Sequence, residues 1–313
     1  MTFELIFTII IIIVIISIFL YKSYHFIIEA YFRNKEGFIN YSTFMDNYLQ
    51  VVSKNNYFMN YGLWNDTTKN LFDANTALVD FILEKSKIKD KKDLQILDVG
   101  CGYGKQDDYI CKRIDKSCKI TAVDISEEQI IRATNENVNE NVFFEKCDAM
   151  NIDKKYPHSS YDVILSIESA FHYSDRPNFF RNVNTLLKKN EDSVFVISDI
   201  SLTKSRMEND MLTKIVLKFF RDFLHIPEQN LITRDQWKEQ LSENLEVIEY
   251  IDVTNTTFKP YYIHWMKTYI ENKGGPSFIG DLLGSFFCTY QPFSYNIAVC
   301  KQKNMIETEN LDV

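Results

Sequence analysis

The stretch LQILDVGCGYGK, residues 94–105, decides how the rest of the chain reads. Residues 94–99 form a short apolar run bounded by turn residues, the pattern of a parallel strand buried on both faces. Gly100, Gly102 and Gly104 then stand on alternate positions. They let the backbone turn sharply and approach a ligand with no Cβ in the way. Residues 105–114 read as a helix, whose free N–H groups and positive dipole end face whatever sits on the glycines. Strand, glycine turn and helix together make a corner suited to a nucleotide-type ligand.

Working outward, Asp98 precedes the first glycine by two residues, and Asp124 ends the next strand-like run, 120–123. That second carboxylate lies about twenty residues beyond the glycines, where such folds bind ribose hydroxyls. Further strands read over 142–149, 161–166 and 193–199, alternating with helices over 127–138, capped by Ser126, and 175–189. The alternation predicts an α/β fold, a mostly parallel sheet with helices on both faces. Residues 246–253 and 293–300 supply a sixth and a seventh strand. Gly100, Asp124, Asp148, Glu168, His172 and Asp199 all fall at strand carboxyl ends, where ligands bind in such sheets.

Before this core, residues 3–21 are almost unbroken Ile, Leu, Val and Phe, with Glu4, Thr8 and Ser17 as the polar interruptions. About 20 apolar residues cross a bilayer core, so the segment reads as a single-pass transmembrane helix. Lys22, Arg33 and Lys35 follow it, while only Glu4 precedes it, which puts the bulk of the protein on the cytoplasmic side of the membrane. The organisation expected is an anchor over 1–22, an aromatic-rich helical lid or connector over 23–90 and a binding core over 91–200. A helical insertion with the last strands follows over 201–300, then a polar tail over 301–313. In the insertion, Leu212, Ile215, Val216, Phe219, Phe220 and Phe223 make an apolar helical stripe that would wall an acceptor pocket; helices also read over 233–241 and 265–270.

The formal net charge of −8 over 313 residues supplies no broad basic field, which argues against a nucleic-acid partner. Six cysteines form no CxxC pair and no Cys/His cluster, so no metal site is expected and the thiols read as reduced.

The run LDVGCGYG, followed by AVDIS at 122–126, resembles motif I and the second-strand acid of class I S-adenosylmethionine-dependent methyltransferases, whose Rossmann-like fold carries a seven-stranded sheet. The resemblance implies that Gly100, Gly102 and Gly104 pass under the methionine part of the cofactor. It implies that Asp124 takes both ribose hydroxyls and that Asp148 and Ala149 lie beside the adenine. Asp98, Gln106, Ile125 and Glu168 complete the implied binding set. As residue types alone, Asp124 also reads as a helix cap and Asp148 as a turn residue.

Residues 168–173 (ESAFHY), with Arg176, Phe179, Phe180 and the later Ser198-Asp199, resemble small-molecule methyltransferases acting on sugar hydroxyls of antibiotics. Sterol and phosphoethanolamine methyltransferases share much of the layout, and the NYGLW run at 60–64 looks like the element preceding their core. In the sugar O-methyltransferases a histidine after strand four and an aspartate after strand five act as base and partner, which maps those roles onto His172 and Asp199. A histidine is the natural base near neutral pH, although His172 also reads as a structural residue on a loop. Where these relatives carry a Lys-Pro-Gly-Gly turn, this chain has KKNED at 188–192, so a changed loop geometry is expected. The place where base-modifying enzymes carry Asn/Asp-Pro-Pro-Tyr reads Ser166-Ile167-Glu168-Ser169, a second argument against DNA or RNA substrates.

The function that follows is a membrane-anchored S-adenosylmethionine-dependent methyltransferase acting on a hydroxyl, amine or carbon of a small molecule or lipid. Two other classes stay open: a cofactor-binding scaffold without turnover, and a protein methyltransferase at a membrane.

Overall fold

A computed structural model of the chain describes residues 56–203, 225–273 and 291–303, with Ser17, Leu217 and Arg221. Seven strands form one sheet in the order β3-β2-β1-β4-β5-β7-β6. They are β1 (Gln95–Val99), β2 (Lys119–Asp124), β3 (Val142–Lys146), β4 (Val163–Ile167), β5 (Val194–Leu202), β6 (Leu245–Asp252) and β7 (Phe293–Gln302). The first five run parallel, and β7 lies antiparallel between β5 and β6. The helices are α1 (Leu71–Ser86), α2 (Lys105–Cys111), α3 (Glu127–Glu136), α4 (Ile152–Lys155), α5 (Arg176–Leu186), α6 (Arg234–Asn244) and α7 (Phe258–Lys273). The expected Rossmann-like α/β sheet is what the chain forms. β1 pairs with β2 on one side and β4 on the other, so the strand order reverses there and opens the crevice in which such sheets bind ligands.

Strand alternation divides the core into two layers. Val194, Val196, Ile200 and Leu202 of β5 pack with Leu78, Val79, Ile82 and Leu83 of α1 on one face. Phe195 and Ile197 pack with Phe179, Phe180 and Val183 of α5 and with Trp237 and Leu241 of α6 on the other. Burying side chains of this size stabilises by about 1.5–3 kcal/mol each.

Local signals set the helix starts. Ser126 accepts from the Gln129 N–H, Asp175 from the Asn178 N–H, and Thr233 and Gln236 form a reciprocal capping box. Several helices stop sooner than apolar periodicity suggested: α2 ends at Cys111 and α5 at Leu186, while α7 begins at Phe258 rather than at 265. In the turn over 188–192, the Asn190 side chain accepts from the Asp192 N–H at 2.9 Å and the Ser193 hydroxyl at 3.0 Å. An Asx turn there replaces the two glycines of the relatives' loop.

Contacts divide the chain into Met1–Val51 and Val52–Val313. The transmembrane expectation over 3–21 lies outside the described residues except for Ser17, which is helical. The aromatic connector up to 55 lies outside them too, as does the 212–223 stripe apart from helical Leu217 and Arg221. Among the described residues, no helix is long and apolar enough to cross a membrane.

Candidate active site

The glycine loop sits at the crevice with Gly100, Gly102 and Gly104 all at positive φ. At Gly100, φ is +85° and a Cβ would meet the Ser169 Cβ at 2.3 Å; at Gly104, φ is +71° and a Cβ would meet the Phe144 ring at 2.4 Å. Both positions therefore exclude any side chain on conformational and steric grounds. Ser169 holds the end of β4 against the end of β1. Its hydroxyl donates to the Val99 carbonyl at 2.9 Å and lies 2.9 Å from the Tyr173 hydroxyl, which reaches the same carbonyl at 3.1 Å.

Asp124, at the tip of β2, accepts the Gly102 N–H at 3.0 Å on Oδ2 and the Ser126 N–H at 2.9 Å on Oδ1. Burial pushes its carboxyl up, and those two N–H groups act against that shift by favouring the anion. Each oxygen keeps a lone pair for a further donor. Ile125 beside it is 65% exposed, a large apolar side chain at the mouth of the crevice. Asp148 caps a 3-10 turn, accepting the Met150 N–H at 2.9 Å, and Ala149 is buried behind it.

Beneath the loop lies an acidic pair. Asp98 is fully buried; its Oδ2 accepts from the Gln106 amide at 2.5 Å, and burial pushes its carboxyl up to about 6. Asp107 of α2 is equally buried, and burial with the neighbouring Asp98 charge raises it strongly. Among the described residues, Asp98 Oδ1 and both Asp107 oxygens have no hydrogen-bond partner. Two adjacent carboxylates cannot both ionise in such a place, so the pair carries a proton.

Glu168 follows β4 with φ +52°. Its Oε1 accepts the Tyr61 N–H at 2.6 Å and the Tyr295 hydroxyl at 2.5 Å. Tyr61 belongs to the 60–64 run, which docks on α1: the Asn75 amide donates to Asn60 Oδ1 at 2.9 Å, and a Cβ on Gly62 would strike Ala74 at 2.6 Å. His172, half-buried at the end of the 3-10 turn Ala170–His172, stacks on Phe171 with ring centroids 4.0 Å apart.

Asp199, mapped from the resemblance as the partner of His172, has its Oδ2 accepting from Arg176 at 3.0 Å and from the Trp237 indole at 2.8 Å, with all three residues sealed between the sheet, α5 and α6. The physical reason is strand alternation. Ser198, one residue earlier, points to the crevice face beside Tyr295, so Asp199 must point to the other. A buried guanidinium needs a carboxylate, and Asp199 serves that structural need.

Tyr61, Tyr295, Asp107 and Trp237 are the site-lining or site-supporting residues that sequence reasoning missed. Tyr61 stood within a recognisable run, but nothing in sequence ties Tyr295 or Asp107 to the crevice.

A doubly wound sheet with a side-chain-free cradle at its switch point and a carboxylate on the neighbouring strand tip defines a nucleotide-type cofactor enzyme. A family described as a methyltransferase domain matches residues 90–249, just over half of the chain. The chain belongs to that family, and it is an S-adenosylmethionine-dependent methyltransferase. It is similar to the erythromycin 3''-O-methyltransferase of Saccharopolyspora erythraea, 28% identical over 217 residues, covering 67% of this chain and 69% of that one. It is similar to the 27-O-demethylrifamycin SV methyltransferase of Amycolatopsis mediterranei, 30% identical over 152 residues, covering 47% of this chain and 53% of the relative. The match thus spans about half the length of that second relative. A solved geranyl diphosphate methyltransferase in complex with S-adenosylmethionine shares the fold at 16% identity and a TM-score of 0.62, covering 79% of this chain and 99% of that one. The residues present fit the cofactor: the cradle leaves room for backbone approach, and Asp124 retains acceptor capacity for two hydroxyls.

Proposed function

We propose that this enzyme methylates a hydroxyl or amine of a small, partly apolar molecule or lipid while held at a membrane by residues 3–21, with its catalytic domain on the cytoplasmic side. The observation that carries the methyl-transfer site is the Asp124–Gly102 contact, which ties the ribose-binding carboxylate to the cradle at 3.0 Å. When bound, the cofactor supplies an activated methyl group on a sulfonium. This chain's residues then have three tasks: to hold that group, to align the acceptor and to take its proton. Gly100, Gly102 and Gly104 would lie under the methionine part, Asp124 would accept the ribose hydroxyls, and Ile125, Asp148 and Ala149 would flank the adenine. Asp98 and Gln106 would support the loop from below.

Phe171, next to His172 in sequence, faces a small cavity in the core. Phe171, Ile200, Leu202, Ile226, Leu231 and Phe293 line this cavity of about 10 Å³, the size of one water. Asn230 Oδ1, which has no hydrogen-bond partner among the described residues, offers one acceptor there. An aromatic-rich sequence between anchor and core suits an amphiphilic substrate taken from the bilayer surface. The relatives named for 3''-O-methylation of erythromycin and for methylation of 27-O-demethylrifamycin SV support a hydroxyl acceptor.

The test is to incubate the full chain with methyl-labelled S-adenosylmethionine and, separately, a membrane lipid extract, a water-soluble metabolite extract and a protein extract. Label in an organic-soluble product supports the proposal. Label found only in protein, or cofactor binding without transfer to any fraction, sinks it. Flotation of the full chain with lipid vesicles tests the anchor, and loss of flotation on deleting 1–22 is the expected result.

A further inference from the structure

Asp199 is paired with Arg176, and the end of β4 offers a second destination for the acceptor's proton. Glu168 has the geometry for it. The residue leaves β4 in the left-handed region, a conformation that side-chain-bearing residues rarely adopt and that tends to cluster at working sites. Three separate elements hold it there. Its own N–H donates to the Ser198 carbonyl at 2.9 Å, and its Oε1 accepts from Tyr61 and from Tyr295.

The anchoring residues are themselves fixed in an aromatic wall. The Tyr61 ring meets Tyr261 edge-on at 4.7 Å and Phe258 at 5.3 Å, and Tyr295 meets Phe258 at 5.8 Å. One carboxylate oxygen is thus pinned, while the second, Oε2, takes no hydrogen bond from the described residues, and Glu168 is only half-buried. The neighbouring Ser169 packs against Gly100, so this oxygen belongs to a residue adjoining the cofactor cradle. A preorganised carboxylate with one oxygen left over, on a residue adjoining the glycine cradle, has the geometry that proton abstraction requires.

We propose that Glu168 is the general base of the reaction. Oε2 takes the proton of the acceptor's O–H or N–H as the acceptor's lone pair bonds to the methyl carbon. The carbon–sulfur bond breaks with its electron pair remaining on sulfur, and the proton later passes from Glu168 to water. The assignment rests on the methyltransferase reading with a protic acceptor.

Burial pushes the Glu168 carboxyl up to about 8, opposed by the Tyr295 and Tyr61 donors and reinforced by Asp199 of β5. The Asp199 charge reaches it from the far face of the sheet, where Asp199 is paired with Arg176 of α5, and Tyr261 of α7 packs against its anchor Tyr61. A base must be ionised to act, so activity rises as pH passes through about 8, whereas an ordinary histidine would centre the rise near about 6.5.

Two measurements on the full chain test this. In the first, protein labelled with carbon-13 at glutamate carboxyls is titrated without cofactor. One carboxyl signal titrating near pH 8, absent in Glu168→Gln, is expected; titration of every glutamate below pH 6 overturns the assignment. In the second, kcat/KM is followed against pH with the acceptor found by label transfer. Glu168→Gln, which still accepts from Tyr61 and Tyr295, is expected to lose about 10²–10⁴-fold while S-adenosylhomocysteine binding stays within a few-fold, with partial rescue in Glu168→Asp. His172→Ala is expected to leave the rise centred near pH 8. A rise centred near 6.5 that disappears in His172→Ala, or a loss under tenfold in Glu168→Gln, overturns the assignment. If the wild-type chain methylates nothing, the methyl-transfer reading fails, and the carboxyl titration still decides the state of Glu168.

Discussion

Asp124 Oδ2 accepts the backbone N–H of Gly102 at 3.0 Å, joining the tip of β2 to the middle of the glycine loop. The contact makes this carboxylate shape the cradle, and in the proposed function the same group would receive the cofactor's hydroxyl donors. Asp124→Ala is predicted to weaken S-adenosylhomocysteine binding by about 10–100-fold, the loss of charge-assisted hydrogen bonds. Isothermal titration on the full chain measures it, and an affinity within threefold of wild type would remove Asp124 from the site.

Gly100→Ala places a Cβ 2.3 Å from Ser169 at a φ of +85°. The obstacle is both steric and conformational, and Ser169 cannot yield because its hydroxyl holds Val99 and Tyr173. The variant is predicted to lose about 1–3 kcal/mol of stability together with cofactor binding. Urea unfolding and the same titration measure both quantities.

The Asp98–Asp107 pair predicts a pH dependence of folding. Both carboxyls are raised in the folded chain, so the folded state keeps protons that the unfolded chain releases. Stability therefore falls as pH rises from about 4, where unfolded aspartates titrate, through the raised values. The pair contributes on the order of a few kcal/mol to that fall. Asp107→Asn supplies an amide donor next to Asp98 and is predicted to flatten that slope. Urea midpoints of the cofactor-free chain at intervals from pH 4 to 8 provide the check; equal slopes in both proteins would contradict it.

Arg176 and Asp199 form a sealed ion pair at 3.0 Å. Arg176→Met strands a buried carboxylate beside Trp237 and is predicted to cost about 3–5 kcal/mol. Replacing both, Arg176→Met with Asp199→Leu, is predicted to recover most of that loss. Thermal and urea unfolding of the single and double variants distinguish this structural role from a catalytic one, because a catalytic Asp199 would abolish turnover in a double variant that folds.

The fold was legible because its signals are local. Residues 94–105 carry strand, turn and helix in one run, and the capping residues Ser126, Asp175 and Thr233 mark helix starts by side-chain chemistry. Asp124 and the glycines were legible for the same reason. The direction of Asp199 was not, because a one-residue difference along β5 sends a side chain to the opposite face and no sequence cue marks which face is the crevice. Glu168 was visible as a residue at a strand end, but its anchors lie 107 and 127 positions away, at Tyr61 and Tyr295. Partnership over such separations is a property of the β4–β5–β7 packing, which composition and periodicity do not encode.

The most direct test of the central claim is the initial rate of methyl transfer from labelled S-adenosylmethionine into organic-soluble product, measured for the full chain and for Asp124→Ala side by side. The account predicts transfer by the wild-type chain that is saturable in cofactor, and at least a tenfold loss of kcat/KM in the variant. Equal rates in both proteins, or wild-type cofactor binding with no label leaving the cofactor, would contradict it.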